Sequence, residues 1–218
     1  MSERNRLLPL LVALALAAAI VGVYLVVSAG NDGGEALVEG CEEVAKPAPK
    51  NVDLSPPSGS LSGPTTATVQ TSCGSFTIEL DVDRAPKTSA SFAHIAREGG
   101  YDDTPIHRIE PGFVVQGGDP NGDGTGDAGY SIREKPPTDL VYSRGTVAMA
   151  KTGVEPAGTS GSQFFVVTAP DAGLPADYAL LGTVTSGYAV VKRIESLGAP
   201  GGKPKSPVVI RSVKISSP

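Results

Sequence analysis

The side chains that could do chemistry are few, and each group can be weighed on its own spacing. His94 and His107 are the only histidines, and Gly158-Thr159-Ser160-Gly161 offers a serine in a small-residue turn. A nucleophilic serine needs a base within hydrogen-bond reach, oriented by a third group. His94 falls in a helical pattern and the folded part is too short for a two-barrel protease, so no triad is expected. Asp119-Pro120-Asn121-Gly122-Asp123-Gly124-Thr125-Gly126-Asp127 has the oxygen spacing of a calcium loop, but its twelfth position is Tyr130. A bidentate Glu belongs there, between flanking helices. A glycine-rich turn closing a groove is the better reading. Cys41 and Cys73 are the only cysteines, and no histidine lies near enough to complete a tetrahedral metal set. That leaves Arg108, inside IHRIEPGFVVQGGD from Ile106 to Asp119, followed by Phe113 and Gln116. By residue type alone Arg108 is a solvated charge, and Phe113 and Phe165 are core. As chemistry, a guanidinium supplies a rigid fork of donors that never loses its charge.

The elements that must position these residues are short. Thr68 to Leu80 alternates, with Phe76, Ile78 and Leu80 on one face and Thr77 and Glu79 on the other, which is the period of a half-buried strand. Ser72-Cys73-Gly74 supplies a turn. A helix is predicted over Lys87–Glu98, after Pro86 and before Gly99-Gly100, and a second over Tyr188–Leu197, ended by Gly198. Five more apolar runs, at 113–116, 146–150, 163–168, 180–184 and 208–215, read as strands. Twenty-seven glycines and 19 prolines in 218 residues favour frequent turns. Many short strands with two helices argue for a mainly β fold, a closed antiparallel barrel or a sandwich.

Around this domain the chain has two appendages. Leu7 to Val27 runs 21 residues without a charge, enough to span the hydrocarbon as a helix. Arg4 and Arg6 precede it, whereas Asp32, Glu35 and Glu39 follow, so residues 1–6 are expected in the cytoplasm and the remainder outside. A retained anchor at 7–27 is favoured by its length; cleavage near Ala29, after Val27-Ser28, is the alternative and would give a secreted protein. Residues 28–64 are expected as an extracytoplasmic linker, rich in Pro, Ser and Gly from Lys46 to Pro64. The folded domain is expected over 65–218. An even pair of cysteines outside the cytosol points to a Cys41–Cys73 disulfide, with two buried thiols as the alternative. A net charge of -5 without a basic stripe excludes a nucleic-acid footprint.

Three collinear blocks carry a resemblance. FHRI-x-PGF-x-x-QGGD, the pattern of the cyclophilins, is matched from Ile106 to Asp119 except for Ile106 itself. VAMAKT from Val147 and GSQFF at Gly161–Phe165 follow. APKT at Ala85–Thr88, the glycines 122, 124 and 126, and LLGTV at 180–184 agree. The chain therefore resembles the cyclophilins over roughly Thr66 to Ile215, as a bacterial, membrane-anchored or secreted member. The resemblance implies an eight-stranded closed antiparallel β-barrel capped by two α-helices, preceded here by one transmembrane helix. It also implies peptidyl-prolyl isomerase activity without a cofactor; a monomer without a metal site is expected, with unfolded or extended proline-containing polypeptides as its partners.

On that reading Arg108, Phe113 and Gln116 are catalytic. Val114, Phe165 and Leu174 join Phe113 in an apolar slot for the proline ring. Gln116 and Gln163 hydrogen-bond the substrate backbone. Gly124 and the main chain at Ala150, Lys151 and Thr152 flank the peptide. The barrier to amide rotation, ~18–20 kcal/mol, comes from the nitrogen lone pair shared with the carbonyl. No covalent step is required; a catalyst must favour the twisted amide. Arg108 is assigned to hold the substrate carbonyl and donate towards the prolyl nitrogen. Many members carry a Trp-Leu pair and then a His after GSQFF. This chain has no Trp, with Gly173-Leu174 and Tyr178 instead. Tyr178 is expected to donate to substrate, and the lost aromatic wall to weaken binding of the cyclic peptide cyclosporin. A binding module or chaperone with little turnover is the alternative function.

Overall fold

In a computed structural model of the chain the described residues are 39–217. The stretch Leu7–Val27, its flank and the cleavage position near Ala29 lie outside them. Among the described residues, no helix is long and apolar enough to cross a membrane.

The expected hairpin forms β1 (Thr65–Thr71) and β2 (Gly74–Leu80), turning at Ser72-Cys73. Thr65, Ala67, Val69 and Thr71 face inward along β1, as do Phe76, Ile78 and Leu80 along β2. Helix α1 (Pro86–Arg97) starts on a proline, whose missing N–H costs nothing in the first turn. Ala85 at its N-cap has no side-chain oxygen. Glu134 takes over: its carboxylate accepts from Lys87 N at 3.2 Å, Thr88 N at 2.8 Å and Thr88 Oγ1 at 2.8 Å. That also sets a negative charge at the positive end of the helix dipole. The inner face of α1 buries Phe92, whose ring lies 4.8 Å from Tyr101 and 5.5 Å, edge-on, from Phe164. Helix α2 (Tyr188–Ser196) begins after Gly187, where φ is +74° and an added Cβ would sit 2.4 Å from Ser75 O. Only glycine fits there.

The other strands are β3 (Thr104–Pro105), β4 (Arg108–Glu110), β5 (Val114–Gly117), β7 (Thr146–Met149), β9 (Phe164–Val167), β10 (Leu180–Ser186) and β11 (Val209–Ser216). With β1 and β2 they form one antiparallel sheet in the order β3-β11-β1-β2-β10-β7-β9-β5-β4. Strands β6 (Ile132–Arg133) and β8 (Thr159–Ser160) pair separately. The fold is mainly β with two helices, as expected. The sheet has nine strands and an open ladder, however, where a closed eight-stranded barrel was expected. Its ends, β3 and β4, are joined by the chain step Ile106-His107. Pro105, the last residue of β3, pairs with Val209, and Ile106 N still donates to Val208 O at 2.8 Å before β4 begins.

Residues 41–61 have no helix or strand, but they are held against the domain as a strap. Cys41 and Cys73 are joined in a disulfide. Lys50 Nζ donates to the carbonyls of Gly99 and Asp102. Val52, Leu54 and Leu61 pack, partly buried, on the main core. A linker composition thus conceals three apolar anchors. The main core beneath is built from inward faces of the sheet and both helices. Truncating its central ring in Phe92→Ala is expected to cost about 3–5 kcal/mol, read as a lower urea midpoint with an unchanged slope.

Candidate active site

Register sorts the site from the core. Arg108 on β4 stands opposite Gln116 on β5, Gln116 opposite Phe165 on β9, and Phe165 opposite Ala148 on β7. Residues directly opposite in antiparallel strands share a face. The next row, Ile109, Val115, Val166 and Val147, points the other way and is buried in the main core. The Arg108 face carries a second apolar cluster that includes Val114, Tyr142, Phe165 and Val167, with Phe113, Leu174 and Tyr178 packed at its margin.

On this face lies a pocket of about 110 Å³, lined by Arg108, Phe113, Val114, Gln116, Ala150, Lys151, Phe165, Leu174 and Tyr178. An enclosed apolar cavity of ~150 Å³ holds benzene, so the volume here is of the order of a small ring. Its remaining expected neighbours, Gly124, Thr152 and Gln163, line a larger and more polar cavity of about 530 Å³. The two share Arg108, Gln116, Ala150 and Lys151. The Lys151 ammonium lies 5.4 Å from the centre of the Tyr178 ring and donates to the carbonyls of Thr152 and Glu155.

Three contacts set the guanidinium. Arg108 Nη1 donates to Gln116 Oε1 at 3.3 Å, Nη2 lies 3.6 Å from Glu110 Oε1, and the group sits 5.8 Å from the centre of the Phe113 ring. Arginine has five donors, so the majority remain for a ligand. From Gln116 a relay runs outward: Gln116 Nε2 donates to Gln163 Oε1 at 3.0 Å, and Gln163 Nε2 donates to Gly124 O and Gly126 O, each at 3.0 Å. Both hydrogens of the Gln163 amide are therefore spent on the glycine-rich loop. Gln163, expected from sequence to hold substrate, here spends its amide on that loop and on Gln116.

Asp119 explains that loop. Fully buried, its carboxylate accepts from the backbone N–H of Asn121, Asp123, Gly124 and Gly126. A Cβ at Gly126 would lie 2.3 Å from Asp119 Oδ1, so the close approach needs glycine. The carboxylate is committed to amides, and among the described residues no cluster could hold a metal ion. His94 Nε2 pairs with Ser55 O on the strap, away from Ser160, whose hydroxyl is buried without a partner. The Asp119 carboxylate and the His94 ring are thus each engaged by the fold itself.

Two supporting residues were not legible in the sequence. Tyr142 OH donates to Tyr178 O at 2.6 Å and accepts from Tyr178 N at 3.0 Å, pinning both backbone groups of a pocket residue. Burial pushes its phenol up to about 12, so it stays a donor at ordinary pH. Glu195 on α2 accepts from Gly112 N at 2.7 Å and pairs with Lys192, fixing the turn that carries Phe113. Both partners are remote in sequence, and no local signal announces them.

The model of one family, cyclophilin type peptidyl-prolyl cis-trans isomerase/CLD, matches residues 66–215. Peptidyl-prolyl cis-trans isomerase-like 2 of Cryptococcus neoformans is 38% identical over 157 residues, covering 68% of this chain and 27% of that protein's own length. Peptidyl-prolyl cis-trans isomerase-like 1 of Emericella nidulans is 40% identical over 134 residues, covering 60% of this chain and 81% of that protein. Among solved structures, a Cryptosporidium parvum cyclophilin type peptidyl-prolyl cis-trans isomerase superposes with a TM-score of 0.66 at 28% identity, covering 72% of this chain and 99% of that one. The same protein has been solved in the presence of the dipeptide Ala-Pro. These relatives are eukaryotic and lend no support to the bacterial, exported character expected from sequence.

Tyr142→Phe leaves the Tyr178 N–H and C=O without their partner. A loss of about 1–3 kcal/mol is expected, with a raised KM for any ligand of the small pocket, read by denaturation and steady-state kinetics. His107 gives a pH signature. Burial pushes its imidazole below the usual range, against attraction from Asp119 and with opposition from Arg108; Asp123 and Lys46 contribute less. The unfolded chain then takes up the proton first as pH falls through ~6.5, so stability declines from neutral towards acid pH. The wild-type urea midpoint should drop more steeply over that window than that of His107→Gln.

Proposed function

The chain belongs to the cyclophilin-type peptidyl-prolyl cis-trans isomerases, and from that premise we propose that it turns X–Pro bonds in extended polypeptides, with the proline ring in the small pocket and Arg108 on the amide. The observation that carries this is the guanidinium standing on the wall of a small pocket that Phe113, Val114, Phe165 and Leu174 also line. Phe113, Val114, Phe165 and Leu174 take the ring and hold one side of the bond still. The main chain around Ala150, Lys151 and Thr152 receives the neighbouring peptide. As the amide twists, its nitrogen regains the lone pair and becomes an acceptor. A fixed cation that donates there binds the twisted form better than either planar form, and differential binding is what accelerates a step. Tyr178 adds a wall and a phenol at the rim. A relative solved in the presence of Ala-Pro supports a proline-containing ligand.

Magnitudes limit Arg108 to a share. A million-fold acceleration needs about 8 kcal/mol, and one preorganised donor supplies roughly 3–4 kcal/mol. The remainder comes from gripping the substrate. We also place the domain on the outer side of a membrane, tethered by Leu7–Val27 or released near Ala29. The Cys41–Cys73 disulfide supports that setting, since disulfides persist outside the reducing cytosol.

The test is isomerisation of a short Ala-Pro peptide by the full chain. Arg108→Ala is expected to lower kcat/KM by about a hundredfold or more, and Arg108→Lys to recover only part, because an ammonium lacks the fork. A wild-type rate equal to background would leave a binding module. With no Trp in the chain, cyclosporin should inhibit weakly; inhibition at nanomolar concentration would overturn that expectation.

A further inference from the structure

The strap and the glycine-rich loop meet at two points. Lys50 N donates to Pro120 O at 3.1 Å, and Leu54 N donates to Ala128 O at 2.8 Å. These carbonyls stand at the two ends of the segment that Asp119 gathers. Gly129 is packed so closely on the strap that an added Cβ would lie 3.0 Å from Asp53 Cα. Between the two clamps lie Gly124 O and Gly126 O, which take both hydrogens of the Gln163 amide. The strap is itself secured three times: by the disulfide to Cys73, by Glu42 N donating to Ser72 O at 2.8 Å, and by Lys50 Nζ on Gly99 and Asp102.

We propose that the strap, closed by Cys41–Cys73, is a positioning element of the active site: it grips both ends of the 119–129 loop and so sets Gln163, Gln116 and finally Arg108. This rests on Arg108 acting on the amide, as argued above. The strap touches no substrate. Its contribution is to the orientation of two side-chain amides, either of which would present the wrong atom to its neighbour if turned over. Opening the disulfide lets the strap lift from its clamps while the sheet remains. The loop carbonyls then spread, Gln163 rotates, and the guanidinium loses the acceptor that aims it.

The experiment compares the full-length wild type with Cys41→Ser/Cys73→Ser, with Leu54→Pro, which keeps the disulfide but removes the N–H given to Ala128, and with Val69→Ala. Val69 lies in β1, four strands from β9, and controls for destabilisation alone. Each is measured where circular dichroism shows it fully folded, for kcat and KM on an Ala-Pro peptide and for the side-chain amide resonances of Gln116 and Gln163. The first two variants are expected to shift the Gln163 and Gln116 amide resonances and lower kcat by roughly ten- to a hundredfold, with KM changed little. Val69→Ala should leave both at wild-type values. Wild-type resonances in the two strap variants, or equal shifts in Val69→Ala, would overturn the proposal. A wild type without isomerase activity would sink the reading of Arg108, and the Gln163 resonances alone would then decide the role of the strap.

Discussion

Arg108, Gln116, Phe165 and Ala148 stand opposite one another in four adjacent strands, and one residue along Ile109, Val115, Val166 and Val147 fill the core behind them. A strand cannot slip by one position without exchanging these rows. Exchange of the rows would bury a guanidinium and expose four branched chains, so the packing of the core enforces the register of the site. The apolar side of the sheet thereby fixes where the arginine points. Nothing on the reactive face needs to be strong for this to hold.

What the register leaves open, rotation of the long polar side chains, is closed by hydrogen bonds that can be satisfied in only one sense. The Gln163 amide faces two carbonyls, so its nitrogen must lie there; its oxygen then faces Gln116 Nε2, and the Gln116 oxygen faces Arg108. The sequence of donors and acceptors begins at a buried carboxylate, Asp119, that gathers four N–H groups. Glu195 does comparable work on the other flank by holding Gly112 N. Two acids outside the lining of the small pocket therefore organise the loop and the turn beside it.

The long elements were legible because their patterns are long. The β1–β2 hairpin shows alternation over a dozen residues, and each helix has a proline or glycine boundary. Strands β3, β4, β6 and β8 have two or three residues, too few to show any period. The residues around Arg108 were named through the block from Ile106 to Asp119 and its partners, because the pocket is assembled from short strands whose residues recur in fixed order. Other features depend on partners distant in the chain. Asp119 has the spacing of a calcium ligand, and residues 46–64 the composition of a spacer, when only their neighbours in sequence are considered. Their partners, Gly126 in the first case and Gly99, Pro120 and Ala128 in the second, are supplied by folding. The number and order of the strands depend on pairings between residues distant in the chain, which no local pattern records.

Strand β11 lies between β3 and β1, so Thr66 pairs with Ser216 and the first strand of the domain is completed by the last. Contacts this distant along the chain close slowly, because loop entropy must be lost before pairing compensates for it. A chain delivered from its N-terminus cannot finish its sheet until its final residues have arrived. Until then β1 presents an unpaired edge, and Arg108 waits beside a β3 that has no partner. The sheet is therefore completed only by its last strand, and a chain cut before β11 would hold every residue of the small pocket while leaving β1 and β3 without the strand between them.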